Sequence, residues 1–155
     1  MVSNTFWARG VFFVLFCLCA SAVQAEQKKI FSTPGGDQYE VHYIAFSSTF
    51  LTPDIARQYG LSRSKALGVV NISVLKRKAD GSTEAVGALV DLNAKNDIQQ
   101  VRHLDVNQVV EGKSIYYIGQ VQYREGEVLT FDVSVFPQGV ADPLKLRFSQ
   151  TFYND

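Results

Sequence analysis

Ile115-Tyr116-Tyr117-Ile118-Gly119-Gln120-Val121-Gln122-Tyr123-Arg124-Glu125-Gly126-Glu127-Val128-Leu129-Thr130-Phe131-Asp132-Val133-Ser134-Val135 holds two runs of alternating side chains joined by a polar, Gly-containing link. Successive side chains of a strand point to opposite faces, so apolar residues at every second position mark a half-buried strand. Ile115, Tyr117, Gly119, Val121 and Tyr123 share one face. Arg124-Glu125-Gly126-Glu127 reads as a tight turn. Leu129, Phe131, Val133 and Val135 then share a face, with Thr130, Asp132 and Ser134 opposite. After a loop over 137–143, Leu144, Leu146, Phe148 and Phe152 alternate with Lys145, Arg147, Ser149 and Thr151. No Pro falls inside these runs, as a hydrogen-bonded ladder requires.

The same period extends toward the N-terminus. Tyr39 to Phe50 predicts a strand with Tyr39, Val41, Tyr43 and Ala45 inward. Val69 to Arg77 predicts a second, followed by an Asp80-Gly81 hairpin turn. Ala85 to Asn93 predicts a third, with Val86, Ala88, Val90 and Leu92 alternating. Ile98 to Val106 reads as a weaker strand at an edge, because Gln and Arg interrupt it. Between the first two strands, Thr52 caps a short helix near 53–59, Pro53 suits its first position and Asp54 complements its dipole. Gly60 ends it. About seven strands, each with one wet face, predict a mainly β fold: an immunoglobulin-like antiparallel β-sandwich with one short helix.

The first 25 residues read differently. Arg9 gives a positive start, Val11 to Ala20 an apolar centre, and Val23-Gln24-Ala25 a cleavage site. This predicts an exported, periplasmic protein cut after Ala25. A spanning helix needs about 20 apolar residues, and the run from Gly10 to Val23 is shorter. No membrane span is therefore expected after cleavage. Phe16 and Leu18 precede the two Cys, where a lipoprotein needs a small residue. Residues 26–37 read as a flexible lead-in, with Pro34-Gly35-Gly36 as a breaker, and 38–155 as a single domain.

Cleavage would leave 130 of the 155 residues, enough for a core without disulfides. It would also remove Cys17, Cys19, Trp7 and Met1, which are all the residues of those three types. The mature net charge would be −1 with His neutral, since Arg9 is one of 15 basic residues against 15 acidic ones. That balance gives no basic surplus for nucleic acid. Lys76-Arg77-Lys78 is the one dense basic cluster, and it reads as a solvated strand end.

Chemical motifs are weak. Ser62-Arg63-Ser64-Lys65 matches S-x-x-K, in which a Lys helps activate a Ser. Here it follows a helix-ending Gly and leads into a strand, and its companion motifs are absent. Gly112-Lys113-Ser114 ends like a phosphate loop, but Asn107 stands where its first Gly belongs. Asp91 and Asn93 open like a calcium loop, but Asn96 and Arg102 occupy its Gly and Glu positions. His42 and His103 lie far apart with no Cys or His nearby, so neither a metal nor another cofactor is implied. His42 shares a face with Glu40 and reads as a surface cross-strand pair. Tyr116, Arg147 and Tyr153 lie on outward positions, a combination found at interfaces but also on ordinary sheet surfaces.

Several ordered segments carry a family resemblance. They are Val41-His42-Tyr43-Ile44-Ala45-Phe46-Ser47-Ser48-Thr49-Phe50-Leu51, Tyr59 to Lys65, Val70 to Leu75, Ile115 to Gly119, and Leu146 to Tyr153. The chain resembles the bacterial "domain of unknown function 4426" family, exported proteins of Gram-negative bacteria, over roughly Tyr39 to Tyr153. The resemblance brings no catalytic or binding residues. It draws attention to Ser47–Lys65, read either as a functional surface of Arg63, Ser64 and Lys65 or as a crossover whose polar groups satisfy buried backbone.

The functional expectation is a non-catalytic binding or accessory module for an envelope protein or component, engaged through a sheet face or edge. Its candidate binding residues are His42, Arg63, Ser64, Lys65, Tyr116, Arg147 and Tyr153, with Ile98–Val106 as the candidate edge. Two alternatives stand beside it: a small serine hydrolase using Ser62 or Ser64 with Lys65, and a small-ligand carrier with its pocket between the sheets.

Overall fold

The computed structural model describes residues 25–154. The expected signal segment, except Ala25, lies outside the described residues. Ten strands form two antiparallel sheets: β1 (Gln27–Ser32), β2 (Gln38–Ser47), β3 (Leu67–Arg77), β4 (Thr83–Ala85), β5 (Ala88–Lys95), β6 (Val101–Leu104), β7 (Val106–Glu111), β8 (Ser114–Gln122), β9 (Val128–Pro137) and β10 (Leu144–Thr151). A 3-10 turn (Ser48–Phe50) and helix α1 (Pro53–Gln58) lie between β2 and β3. No helix among the described residues is long and apolar enough to cross a membrane.

One sheet runs β1-β2-β3-β8-β7, with β4 also paired to β3; the other runs β10-β9-β5-β6. Without β1 and β4, the first sheet has the A-B-E-D order of an immunoglobulin-type sandwich. The second has G-F-C with β6 added beside C. The mainly β, two-sheet architecture therefore holds, with more strands than the sequence suggested.

The differences have physical causes. The expected flexible lead-in contains β1, which pairs with β2 from Gln27↔Tyr43 to Ser32↔Gln38. Five of its six residues are exposed, so its polar sequence carries no apolar alternation. The expected strand over 85–93 is two pieces. Val86 and Gly87 carry the chain from the first sheet, where β4 pairs with β3, to the second, where β5 pairs with β9. The expected edge strand over 98–106 also divides. β6 pairs with β5 in one sheet and β7 with β8 in the other, with Asp105 between them. Leu104 is buried and Val106 packs against the core. Both face the interior from opposite sheets, so the period-two pattern runs through the switch unbroken.

The core fills the space between the sheets. Val41, Val70, Ile72, Leu92, Phe131 and Val135 have no exposed surface. Aromatic rings link the layers: Tyr43 to Phe148 at 4.7 Å, Phe148 to Phe131 at 5.0 Å, and Phe152 to Tyr123 at 4.6 Å between centroids. Gly68 is required by this packing, because a Cβ there would lie 2.6 Å from the Phe152 ring. The interior thus holds packed side chains where the ligand-carrier expectation placed a pocket.

Candidate functional site

The segment from Ser47 to Lys65 is built as a crossover. Ser48 is fully buried. Its hydroxyl donates to the Ser64 carbonyl at 3.0 Å and accepts the Ser64 N–H at 2.9 Å, closing the two ends of the connection. The Ser64 hydroxyl accepts the Ala66 N–H. Arg63 donates to the Thr49 carbonyl. Gln120 on β8 holds the middle, accepting the Ser62 N–H at 3.0 Å and donating to its carbonyl at 2.8 Å. α1 begins as its sequence requires, with the Thr52 hydroxyl accepting the Ile55 N–H. Its end is tied to β7, because Gln58 and the Tyr59 hydroxyl both donate to Glu111. Burial, aided by the Glu111 carboxylate, pushes the Tyr59 phenol up to about 12. Every polar group named here satisfies backbone or a neighbouring side chain.

Lys65 is exposed and makes no hydrogen bond with Ser62 or Ser64 among the described residues. The Ser-Lys pairing that a hydrolase needs is therefore not assembled.

His42 sits in a charged cluster that involves the buried side chain of Glu40. Glu40 is 4% exposed although it lies on the outward side of β2, so the expected surface pair is in fact half covered. Arg77 donates to its carboxylate at 2.5 Å, Lys28 at 3.4 Å, and His42 Nε2 lies 3.2 Å away. His42 Nδ1 is 3.6 Å from Glu26. The Arg77 guanidinium, assisted by His42 and Lys28, holds Glu40 down to about 2 against the usual 4.5. The basic run Lys76-Arg77-Lys78 is likewise committed, since Lys76 pairs with Asp37 and Lys78 with Glu84.

The remaining candidates lie apart. Tyr116 is half-buried on the outer side of β8. Arg147 pairs with Asp132 at 2.5 Å on the outer face of the other sheet. Tyr153 lies beyond β10, where its carbonyl accepts the Tyr123 hydroxyl. The structure brings Arg63 and Ser64 together in the crossover and distributes the other candidates over separate surfaces.

Two features escaped the sequence reading. The first is a cleft of about 300 Å³ beside β8, walled by Gly60 and Leu61, by His103 to Asp105, and by Asn107 and Gln120. The second is the outer edge of β7. Tyr123 N–H bonds to Ala66 on the β3 side. By alternation along β8, Ile118, Tyr116 and Ser114 turn toward β7 and pair with Asn107, Val109 and Glu111. Val106, Gln108 and Val110 therefore turn their N–H and C=O groups to the free edge. Of the other free edge strands, β1, β10 and β6 carry Lys28 and Lys29, Lys145 and Arg147, and Arg102, and β4 is only three residues long. Such basic residues discourage unwanted pairing. β7, Val-Asn-Gln-Val-Val-Glu, carries no Lys, Arg or Pro. Both features arise where the chain changes sheets at Asp105, which the unbroken alternation concealed.

The model of the family described as Domain of unknown function (DUF4426) matches residues 35–155. The chain belongs to this family. The crystal structure of a DUF4426 family protein from Pseudomonas aeruginosa is 31% identical, with a TM-score of 0.69, over 84% of this chain and 96% of that one. A copper-bound variant of FetP from uropathogenic Escherichia coli shares the fold, with 10% identity and a TM-score of 0.54, over 83% of this chain and 98% of that one. Among curated proteins none matches this chain. β1 precedes the part of the chain that the DUF4426 model matches.

Proposed function

We propose that this DUF4426 protein is a non-catalytic binding module of the cell envelope, exported by a signal peptide cut after Ala25, and that it takes up a polypeptide segment by strand addition at β7. The observation that carries this reading is the undefended β7 edge. It offers three outward pairs of backbone groups, no basic or Pro guard, and Val110 at 61% exposure. Strand addition uses such main-chain groups for affinity and flanking side chains for selectivity. The edge begins at Val106, the last residue of the Ile98–Val106 segment suggested by sequence.

Gln108→Pro tests it. Proline there removes an outward N–H, and the β8 ladder is made by the neighbouring residues. Immobilised protein should retain an envelope polypeptide that Gln108→Pro loses, at unchanged thermal stability. Equal retention by Gln108→Pro, or none by either protein across several growth conditions, refutes the reading. Mass spectrometry of exported protein tests the cut, which should leave Glu26 as the first residue.

The E. coli FetP variant binds copper by its description. That copper is not carried over to this chain. Its only Met and Cys are Met1, Cys17 and Cys19, and no group of three metal-ligating side chains occurs among the described residues.

A further inference from the structure

The cleft beside β8 originates in the sheet switch. β6 ends at Leu104 in one sheet, and β7 starts at Val106, opposite Gly119, in the other. The part of β8 from Gln120 to Gln122 consequently has no strand on that side. The chain on either side of Asp105 forms one wall, and the end of the α1 crossover forms the other. A volume of about 300 Å³ is at the lower end for clefts that take small molecules.

Its chemistry is one-sided. Asp105 is exposed and forms no ion pair among the described residues. Asn107 offers a carboxamide that also lacks a side-chain hydrogen bond there. The Nδ1 side of His103 faces Asn93 at 3.2 Å and Asp91 at 3.4 Å. Gln120 is fixed at both ends of its amide by Ser62, so it forms a rigid wall. No Lys or Arg lines the cleft. The nearby Arg102 is committed to the Gln122 carbonyl at 2.7 Å. The cleft therefore presents a free carboxylate and a free carboxamide, able to accept or donate, with His103 as its one titratable base and no Lys or Arg. Leu61 and Ile118 add apolar side chains to the lining.

We infer that this cleft binds a small organic ammonium ion, with Asp105 as its counter-charge and Asn107 as a second acceptor. An ammonium group carries three donors and no acceptor, which the Asp105 carboxylate and the Asn107 carbonyl oxygen can accept. A carboxylate or phosphate of the same size would meet like charge at Asp105. The inference stands independently of strand addition at β7.

Benzylammonium, benzyl alcohol and benzoate share one ring and differ in charge, so they separate the charge requirement from simple apolar contact. The 15N-labelled protein is titrated with each while its amide resonances are followed. Benzylammonium should shift the signals of residues 103–107 and 118–120 saturably, and the other two should not. Asp105→Asn should weaken benzylammonium binding by about twofold to fivefold, the weight of one solvent-exposed charge pair. Its melting temperature should match the wild type, because the Asp105 side chain makes no hydrogen bond or ion pair among the described residues. No saturable shift, equal binding of benzoate, or unchanged affinity in Asp105→Asn would overturn the inference.

Discussion

Replacing Glu40 by Gln should destabilise the protein, and the loss should disappear in acid. Glu40 is nearly inaccessible, yet its carboxylate is charged and surrounded by Arg77, Lys28 and His42. A carboxyl held at about 2 in place of 4.5 corresponds at face value to about 3 kcal/mol. Lys28 and Arg77 are 52% and 37% exposed, so solvent and salt screen part of that attraction. About 2 kcal/mol is the working figure after that discount. The folded carboxyl has the lower value, so the unfolded chain binds more protons in the window from 4.5 down to about 2. The contribution is complete above that window and is lost as pH falls through it. Denaturant titrations of wild type and Glu40→Gln should therefore differ by about 2 kcal/mol at neutral pH. The gap should shrink steadily as the acid window is crossed. A gap that stays constant with pH would refute the electrostatic reasoning and point to packing. No gap at neutral pH would refute the role of the cluster altogether.

Other consequences follow from packing and hydrogen bonding. Gly68→Ala should lower stability by roughly 1–3 kcal/mol, the usual cost of overpacking, because the new methyl meets the Phe152 ring; calorimetry would show it. Ser48→Ala should cost about 1–3 kcal/mol, since it leaves the Ser64 N–H without its partner while the Ser64 carbonyl keeps only the Leu67 N–H, and should speed hydrogen exchange across 48–66. Tyr59→Phe should cost only about 1 kcal/mol while loosening α1, visible as faster exchange at Leu61 without a change in the core. Ser64→Ala and Lys65→Ala should leave no hydrolytic activity to lose, and a measurable esterase rate abolished by either change would restore the hydrolase alternative.

Where a strand buries one face, the sequence states it directly. β8, β9 and β10 follow their alternation almost to the residue, because each has core on one side and water on the other. The capping signals of α1 are similarly local: Thr52, Pro53 and Asp54 act on the first turn and depend on nothing distant. β1 was illegible because an edge strand exposed on both faces needs only main-chain pairing, which Gln27, Lys28 and Lys29 do not advertise. The β6–β7 switch was illegible for the opposite reason. Leu104 and Val106 both point into the core, so alternation persists while the sheet changes. The crossover was half legible. Its polar residues were singled out, but which backbone groups Ser48 and Gln120 would satisfy depends on strands far away in sequence. The cleft and the β7 edge are created by that same switch, and no residue type marks either of them.

Strand addition at β7 requires a partner polypeptide lying along that edge. A photo-crosslinking residue placed at Val110, with Lys145 on β10 as the control position, tests it in living cells. A discrete polypeptide adduct is expected from position 110, lost when Gln108→Pro is added, and no such adduct from position 145. Absence of an adduct at 110, or its survival in the Gln108→Pro background, would contradict it.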